Sequence, residues 1–516
     1  MSEWKASRYV TSIEMQHGAL LFSSLFGRLV EVPLDYRAAA NELLQAPNAL
    51  PTPRHAELQK MLIEQGMLVP HDFDELRHIV DQYHYAKFTP SSKLGLTICP
   101  TLACNFRCTY CFQAHPAGHM PTAVQDRLVE YVRSLMDLES LSVTWFGGEP
   151  LQAMPVIENL SRQFRQGDYQ YSANIITNAS RLTHDASRRL VEIGVNWAQV
   201  TLDGPREIHD LRRPKVNGKG TFDEIITNLQ GSDRRLALTI RVNVDRRNVE
   251  SIPRLFDQLD EAKLRGRVIV YFAPVAPYTE ICADVVDHCV TGPDWARLDT
   301  QLTFLASERG YASPNLPNPR TNVCLADRAG DFVVVPSGLV FNCWNDVTDA
   351  RRAVFDLKTM SRSAAMAGEL SKWTKWEPFA FEECRSCHVL PLCLGGCPSV
   401  GMRQNKGACG TLKHNLKDRI LLHYLSAKKI ERATALGEFL GGLTALGPPA
   451  EEIRLAPTPF EPTEAQVALA KKVVDSLVSW TSSEHSSREH SFVAEEHRAD
   501  PAKCGSCSSG CGKRAA

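Results

Sequence analysis

The sequence predicts an α/β protein with a parallel sheet, preceded by a small strand-and-helix module and followed by a cysteine-rich region. Three observations lead there. Between about residues 90 and 310, β-type runs alternate with amphipathic helical stretches, the pattern of successive βα units. Residues 1 to about 85 carry short strands and helices of their own. Most of the 16 cysteines fall into two groups with metal-ligand spacing, one early in the α/β region and one after it.

Composition bounds the rest. A chain of 516 residues has room for about three domains, and 43% hydrophobic residues are enough for large cores. A net charge of −1 gives no basic face for nucleic acid. No apolar run is long enough for a membrane span, and Met1-Ser-Glu-Trp-Lys5 lacks the apolar core of a signal peptide. In such a chain cysteines serve metals more often than disulfides, so a cytoplasmic, reducing location is expected, with neither nucleic acid nor membrane as partner.

The module over 1–85 starts with two β-type runs within Gly18–Val32, about a turn at Gly27. Helical patterns follow near Tyr36–Gln45 and His55–Gln65, then a short strand at Gly66–Val69 and a helix over Asp72–Tyr83. This order resembles the winged-helix leader-binding domain of peptide-modifying enzymes. The resemblance implies that a precursor's leader is added as an extra strand at an open sheet edge. A capping unit that only packs on its neighbour is the alternative. Arg54, His55 and Lys60 are too sparse for a DNA-reading face.

Candidate strands of the α/β region (90–310) are Leu94–Ile98, Ser142–Phe146, Ala173–Thr177, Ala198–Leu202, Ala237–Val244 and Val268–Phe272, with helices such as Ala123–Leu138 and Ala186–Ile193 between them. After the first strand comes Cys104-Asn-Phe-Arg-Cys108-Thr-Tyr-Cys111. Three thiolates on one loop suit a 4Fe–4S cluster with one iron left open. A zinc knuckle, which needs a fourth ligand nearby, and unligated thiols are the other readings. After the second strand stands Gly147-Gly148-Glu149-Pro150.

Together these segments resemble the radical S-adenosylmethionine (radical SAM) superfamily. The resemblance implies a partial (β/α)6 barrel with its site at the carboxyl ends of the strands, and SAM held on the open iron. It assigns Cys104, Cys108 and Cys111 to the catalytic cluster. Gly147, Gly148 and Glu149 are assigned to the SAM ammonium and Tyr110 to the adenine. By the same resemblance Asn178, Thr201, Asp203 and Arg241 would be further contacts to SAM or substrate, with plain strand-end caps as the other reading of the Asn, Thr and Asp, and Asn243 shares a strand face with Arg241. His209 and Asp210 read as loop braces.

The cysteines of 311–425 run Cys324-x13-Gly338-x4-Cys343, then Cys384-x2-Cys387-x5-Cys393-x3-Cys397, then Cys409. Alone, such pairs would also suit zinc ribbons. Behind the barrel segments they resemble the SPASM domain, which implies two auxiliary 4Fe–4S clusters and three clusters in all. Cys324, Cys343 and Cys397 match the inner set, and Cys384, Cys387, Cys393 and Cys409 the outer. The inner set is one thiol short. Its fourth position is either open or filled by Cys282, Cys289 or a tail thiol, while Cys99 reads as a core residue.

A helix-like stretch at Leu412–Leu440 leads into an extension over 426–503. This holds a proline-marked linker, a helix from Thr463 to about Val478 and a polar segment from Ser482 to Lys503. The tail, 504–516, carries Cys504, Cys507 and Cys511. The resemblance as a whole implies a peptide maturase that crosslinks a ribosomally made precursor and is served by a flavodoxin- or ferredoxin-type reductant. A sulfatase-maturing type is the alternative. In it an Asp follows the cysteine matching Cys343, a position held here by Trp344, with Asp346 two residues on. A non-catalytic iron–sulfur electron carrier is the remaining reading.

Overall fold

Six strands with inward-facing apolar residues build the central sheet of the computed structural model, which describes residues 3–15, 18–48, 53–88, 92–135, 137–434 and 444–446. They are β6 (Lys93–Thr101), β7 (Ser140–Gly147), β8 (Gln170–Thr177), β9 (Val195–Thr201), β10 (Ala237–Val244) and β11 (Val268–Pro274), and neighbours pair parallel in that order. Alternation decides which face is buried: in β7, Leu141, Val143 and Trp145 are fully buried, with polar residues between them. The crossover helices are α4 (Thr122–Arg133), α5 (Met154–Phe164), α6 (His184–Glu192), α7 (Arg206–Arg212), α8 (Phe222–Gly231) and α9 (Ile252–Glu261). In α9, Ile252, Leu255, Phe256 and Leu259 form a stripe at helical spacing, all fully buried. Each such side chain contributes roughly 1.5–3 kcal/mol of burial free energy.

The cysteine-rich region extends this sheet. β12 (Phe332–Val334) lies parallel to β6, with Phe332 opposite Leu96 and Val334 opposite Ile98. β13 (Leu339–Phe341) and β14 (Phe355–Asp356) continue antiparallel, which completes nine strands. Helix α10 (Gly292–Glu308) packs on β11, at the other edge of the sheet, and α11 (Ala364–Lys375) follows β14. The short α12 (Glu382–Arg385), α13 (Leu390–Cys393) and α14 (Pro398–Gln404) lie among the later cysteines, of which Cys384 and Cys393 are helical, and α15 (Leu412–Thr434) follows.

The N-terminal part has a strand not read from the sequence, β1 (Trp4–Ala6), which pairs with β5 (Leu68–Pro70), the short strand expected at Gly66–Val69. Its meander is β2 (Val10–Met15), β3 (Gly18–Ser23) and β4 (Arg28–Pro33), with β2 also unforeseen. One face of the meander packs on α1 (Leu34–Gln45) and α2 (Pro53–Glu64) through Leu21, Val30, Leu43 and Leu62. The opposite face packs on the cysteine-rich region and α15 through Leu20, Phe22, Leu392 and Ile420. The last helix, α3 (Glu75–Phe88), runs past the expected boundary at residue 85. Beyond that boundary Lys87 pairs with Asp327 at 2.8 Å, with both side chains buried.

A three-residue strand, β15 (Thr444–Leu446), lies antiparallel on β4. The expected helix from Thr463, the polar segment and Cys504, Cys507 and Cys511 lie outside the described residues. Among the described residues no helix is long and apolar enough to cross a membrane.

Candidate active site

The carboxyl ends of β6 to β10 surround one cavity of about 510 Å3. Cys104, Cys108 and Cys111 line it from the loop after β6, facing Gly147, Gly148, Asn178, Thr201 and Arg241 from the strands beyond. The loop is held at the rim by backbone bonds to the segment after α7. Arg107 and Thr109 donate to the carbonyls of Pro214 and Arg212, and Val216 donates back to Asn105.

Gly147 and Gly148 make this packing possible. Gly147 sits at φ +118°, and a Cβ there would strike the carbonyl oxygen of Thr101. A Cβ on Gly148 would fall on the carbonyls of Leu102 and Ala103. The end of β7 therefore lies directly on the start of the cysteine loop, and Glu149 N–H donates to Ala103 O at 2.9 Å.

Glu149 takes a position the sequence did not indicate. Its side chain is fully buried and does not line the cavity. Its carboxylate accepts from Thr177 Oγ1 at 2.7 Å, Asn178 N at 2.7 Å and Leu151 N at 3.0 Å, which ties β7 to β8. Burial raises its pKa, and the three donors oppose that rise. Asn178 in turn donates to Asn105 Oδ1 at 2.9 Å within the cysteine loop.

Asp203 is likewise fully buried and outside the cavity lining. It accepts from the Tyr110 hydroxyl and from Asn243 N at 3.0 Å. That hydroxyl also accepts from Arg213 Nη1 at 2.6 Å and Asn243 Nδ2 at 3.1 Å. The aromatic residue of the cysteine loop is thus anchored at its polar tip. His209 Nδ1 accepts from Asp203 N–H at 3.2 Å, and its Nε2 faces Thr221 Oγ1 at 3.1 Å. Burial, with Arg213 and Arg212 close by, holds that imidazole neutral. Asp210 accepts from Thr221 N and Phe222 N, so both residues act as loop braces.

Two cavity residues were missed. Arg213 is buried, lines the cavity and interacts with Cys108, Tyr110 and Asp203, whose pull outweighs the cost of burial and raises its pKa. It brings a fixed cation to a site where thiolates must form. His115 places Nε2 3.5 Å from Cys111 Sγ and Nδ1 3.2 Å from Leu102 O. The sequence offers only their nearness to quoted segments as a signal. Burial pushes the Cys104 thiol up to about 11 and the Cys108 thiol to about 12, and raises that of Cys111. Without a metal these thiols stay protonated at neutral pH.

Cys324, Cys343 and Cys397 line the same cavity, beside Trp344. Cys384, Cys387, Cys393 and Cys409 line a separate small pocket. The seven cysteines thus line two separate spaces, three in the cavity and four in the small pocket. Cys282 and Cys289 line neither. Cys282 Sγ instead donates to Thr279 O at 3.4 Å, on a segment bonded to the cysteine loop through Thr279 Oγ1 and Phe112 O. Among the described residues no group of three or more His, Cys, Asp or Glu converges on a point where a single metal ion could sit. The Cys104–Cys111 thiols border the open volume of the cavity.

Residues 98–270 match the radical SAM superfamily. The chain is 26% identical over 183 residues to the Fe-coproporphyrin III synthase of Methanosarcina barkeri, covering 35% of this chain and 44% of that protein. It therefore spans less than half of that relative. It is 22% identical over 337 residues to a serine-type anaerobic sulfatase-maturating enzyme of Klebsiella aerogenes, covering 60% of this chain and 80% of that protein. Among solved structures, native anSMEcpe with bound AdoMet and Kp18Cys peptide aligns with a TM-score of 0.50 at 18% identity. That alignment covers 66% of this chain and 99% of the other, and shows the shared fold.

Proposed function

We propose that this radical SAM enzyme is a peptide maturase. It takes a hydrogen atom from an unactivated carbon of a ribosomally made precursor peptide and installs a thioether or carbon–carbon crosslink. One observation carries the reading: the Cys104–Cys111 loop and Cys324, Cys343 and Cys397 open into a single cavity. A substrate there meets both cysteine sets at once.

Cys104, Cys108 and Cys111 would hold a 4Fe–4S cluster with one open iron. Cys324, Cys343 and Cys397 would hold a second, and Cys384, Cys387, Cys393 and Cys409 a third. When bound, these groups and SAM supply a low-potential electron, a 5′-deoxyadenosyl radical and an acceptor for the surplus electron. The chain's own residues orient and shield. Arg213 stabilises the thiolate form of Cys108. Gly147, Gly148, Asn178, Thr201 and Arg241 are the wall against which SAM would lie. Glu149 and Asp203 position that wall from behind, through Asn178 and Tyr110. The open edge of the N-terminal meander is where a leader would dock. Such docking at a distance lets one cavity serve a poorly structured core peptide.

Co-expression with a short peptide encoded beside the gene tests this. Each crosslink removes two hydrogen atoms, a loss that mass spectrometry reads directly. An unmodified peptide from cells that contain cluster-loaded enzyme would refute the reading. Similarity to the sulfatase-maturating enzyme favours a second reading, formylglycine formation. Trp344 stands where that type carries its Asp, and Asp346 does not line the cavity.

A further inference from the structure

Two aromatic pairs line the cavity, each next in sequence to one of its cysteine sets. Trp344, the residue after Cys343, lies in the cavity wall and is 41% exposed. Its ring packs on Phe146 at the end of β7, with centroids 5.2 Å apart and planes 31° apart. Phe112, the residue after Cys111, meets Tyr278 edge to face at 5.8 Å, and both line the same cavity. Rings prefer such separations, and a ring left this exposed has a face free for another.

Each pair also has a side-chain amide close in sequence that lines the cavity. Asn342 is 4% exposed and donates Nδ2 to Ala326 O at 3.2 Å, while its Oδ1 has no partner. Gln113 is 5% exposed, and its Nε2 has none. Buried polar groups are nearly always bonded. An unpaired acceptor and an unpaired donor in one wall match the N–H and C=O of a peptide backbone. Among the described residues of the wall there is no Asp or Glu, so a cationic side chain would find no counter-charge there.

We infer that Trp344 and Phe146 receive an aromatic side chain of the peptide substrate, at or next to the reacting residue, and that Asn342 and Gln113 bond its backbone. Trp344 is then a specificity-determining residue. Where the sulfatase-maturing type carries an Asp, this chain presents a flat apolar face, which favours a ring over a small polar side chain. The inference rests on the peptide-substrate reading and adds the residue type that the cavity selects.

The test uses cluster-loaded full-length protein, kept oxidised with SAM bound so that no turnover occurs. The probes are the N-acetyl methylamides of phenylalanine, leucine and serine, titrated by saturation-transfer NMR. The phenylalanine probe should bind about tenfold tighter than the serine probe, as burial of a ring implies. Trp344→Ala and Phe146→Leu should each lose most of that preference, and Trp344→Phe should keep it. Iron and sulfide content of each variant separates loss of the aromatic face from loss of a cluster. Where Trp344→Ala fails to load, Phe146→Leu decides, because Phe146 adjoins no cysteine in the sequence. Equal binding of the phenylalanine and serine probes, or an unchanged preference in the loaded variants, would overturn the inference. Equal binding of the leucine and phenylalanine probes would overturn the choice of an aromatic ring, as would a precursor modified with no aromatic residue at or next to the site. If a co-expressed precursor stays unmodified while the ring preference and its loss hold, the peptide-maturase reading fails and the aromatic site stands.

Discussion

Replacing Gly148 by Ala tests how tightly the strand ends hold the cysteine loop. The new Cβ falls on the carbonyl oxygens of Leu102 and Ala103 and 2.6 Å from the carbonyl carbon of Ala103, where ordinary contact begins at 3.4 Å. Strand end and loop must therefore part by at least about 0.8 Å, the difference between those two distances, since the oxygens lie closer still. The neighbours are backbone atoms, so no side chain can swing aside. Overpacking of this kind costs about 1–3 kcal/mol, and an ångström of misplacement at a reacting centre costs about a hundredfold in rate. The loop that moves is the one bearing Cys104. The assay pairs iron and sulfide content with the rate of 5′-deoxyadenosine release from the anaerobically reconstituted protein. Gly148→Ala should lose about a hundredfold or more in rate, by faulty cluster loading or by misplaced SAM. Gly231→Ala is the control, because a Cβ there meets nothing within 4 Å. Parent-like loading and rate in Gly148→Ala would refute the claim that the two segments are held in contact.

Three further outcomes are expected. Lys87→Met leaves Asp327 charged and buried without its cation, at a cost of about 3–5 kcal/mol. Adding Asp327→Asn should recover most of this in anaerobic thermal unfolding, since the amide still accepts from Tyr83. Burial raises the Asp331 carboxyl from 3.8 to about 6. The unfolded chain gives up that proton near pH 4 while the folded one keeps it, so folding pays a growing penalty between pH 4 and 6, complete above 6. Asp331→Asn should therefore stabilise by roughly 2–3 kcal/mol at pH 7 and by nothing near pH 3.5, keeping an acceptor for Gly95 N. Arg213→Met removes the cation beside Cys108. Iron uptake by the Cys104–Cys111 site should then need more alkaline conditions, visible as a shift of the reconstitution profile to higher pH.

What the sequence revealed and what it hid divide along local and non-local physics. Strand and helix periodicity is local, and the six parallel strands, α4 and α6 follow it closely. β1 escaped because it has three residues and its partner, Leu68–Pro70, lies far along the chain, whereas β2 pairs with the adjacent β3 and escaped because Val10–Met15 is mixed in polarity. Cysteine spacing is also local, so the Cys104–Cys111 loop and the later cysteine run were legible, but spacing alone leaves Cys397 beside Cys393 rather than in the cavity with Cys324 and Cys343. That the inner set opens into the barrel cavity depends on β12 pairing parallel with β6, across more than two hundred residues. Glu149 and Asp203 were identified by type, yet their partners Thr177, Asn178, Tyr110 and Asn243 decide that they brace the cavity from behind. Arg213 was invisible because nothing in Arg212-Arg213-Pro214 tells which arginine turns inward beside Cys108.

The central claim is that the Cys104–Cys111 loop cleaves SAM by one-electron chemistry. Anaerobically prepared full-length protein, reduced with dithionite and given SAM, should release 5′-deoxyadenosine and methionine in equal amounts, and Cys108→Ala should release neither. Parent protein that binds zinc, contains no inorganic sulfide and leaves SAM intact would contradict the account.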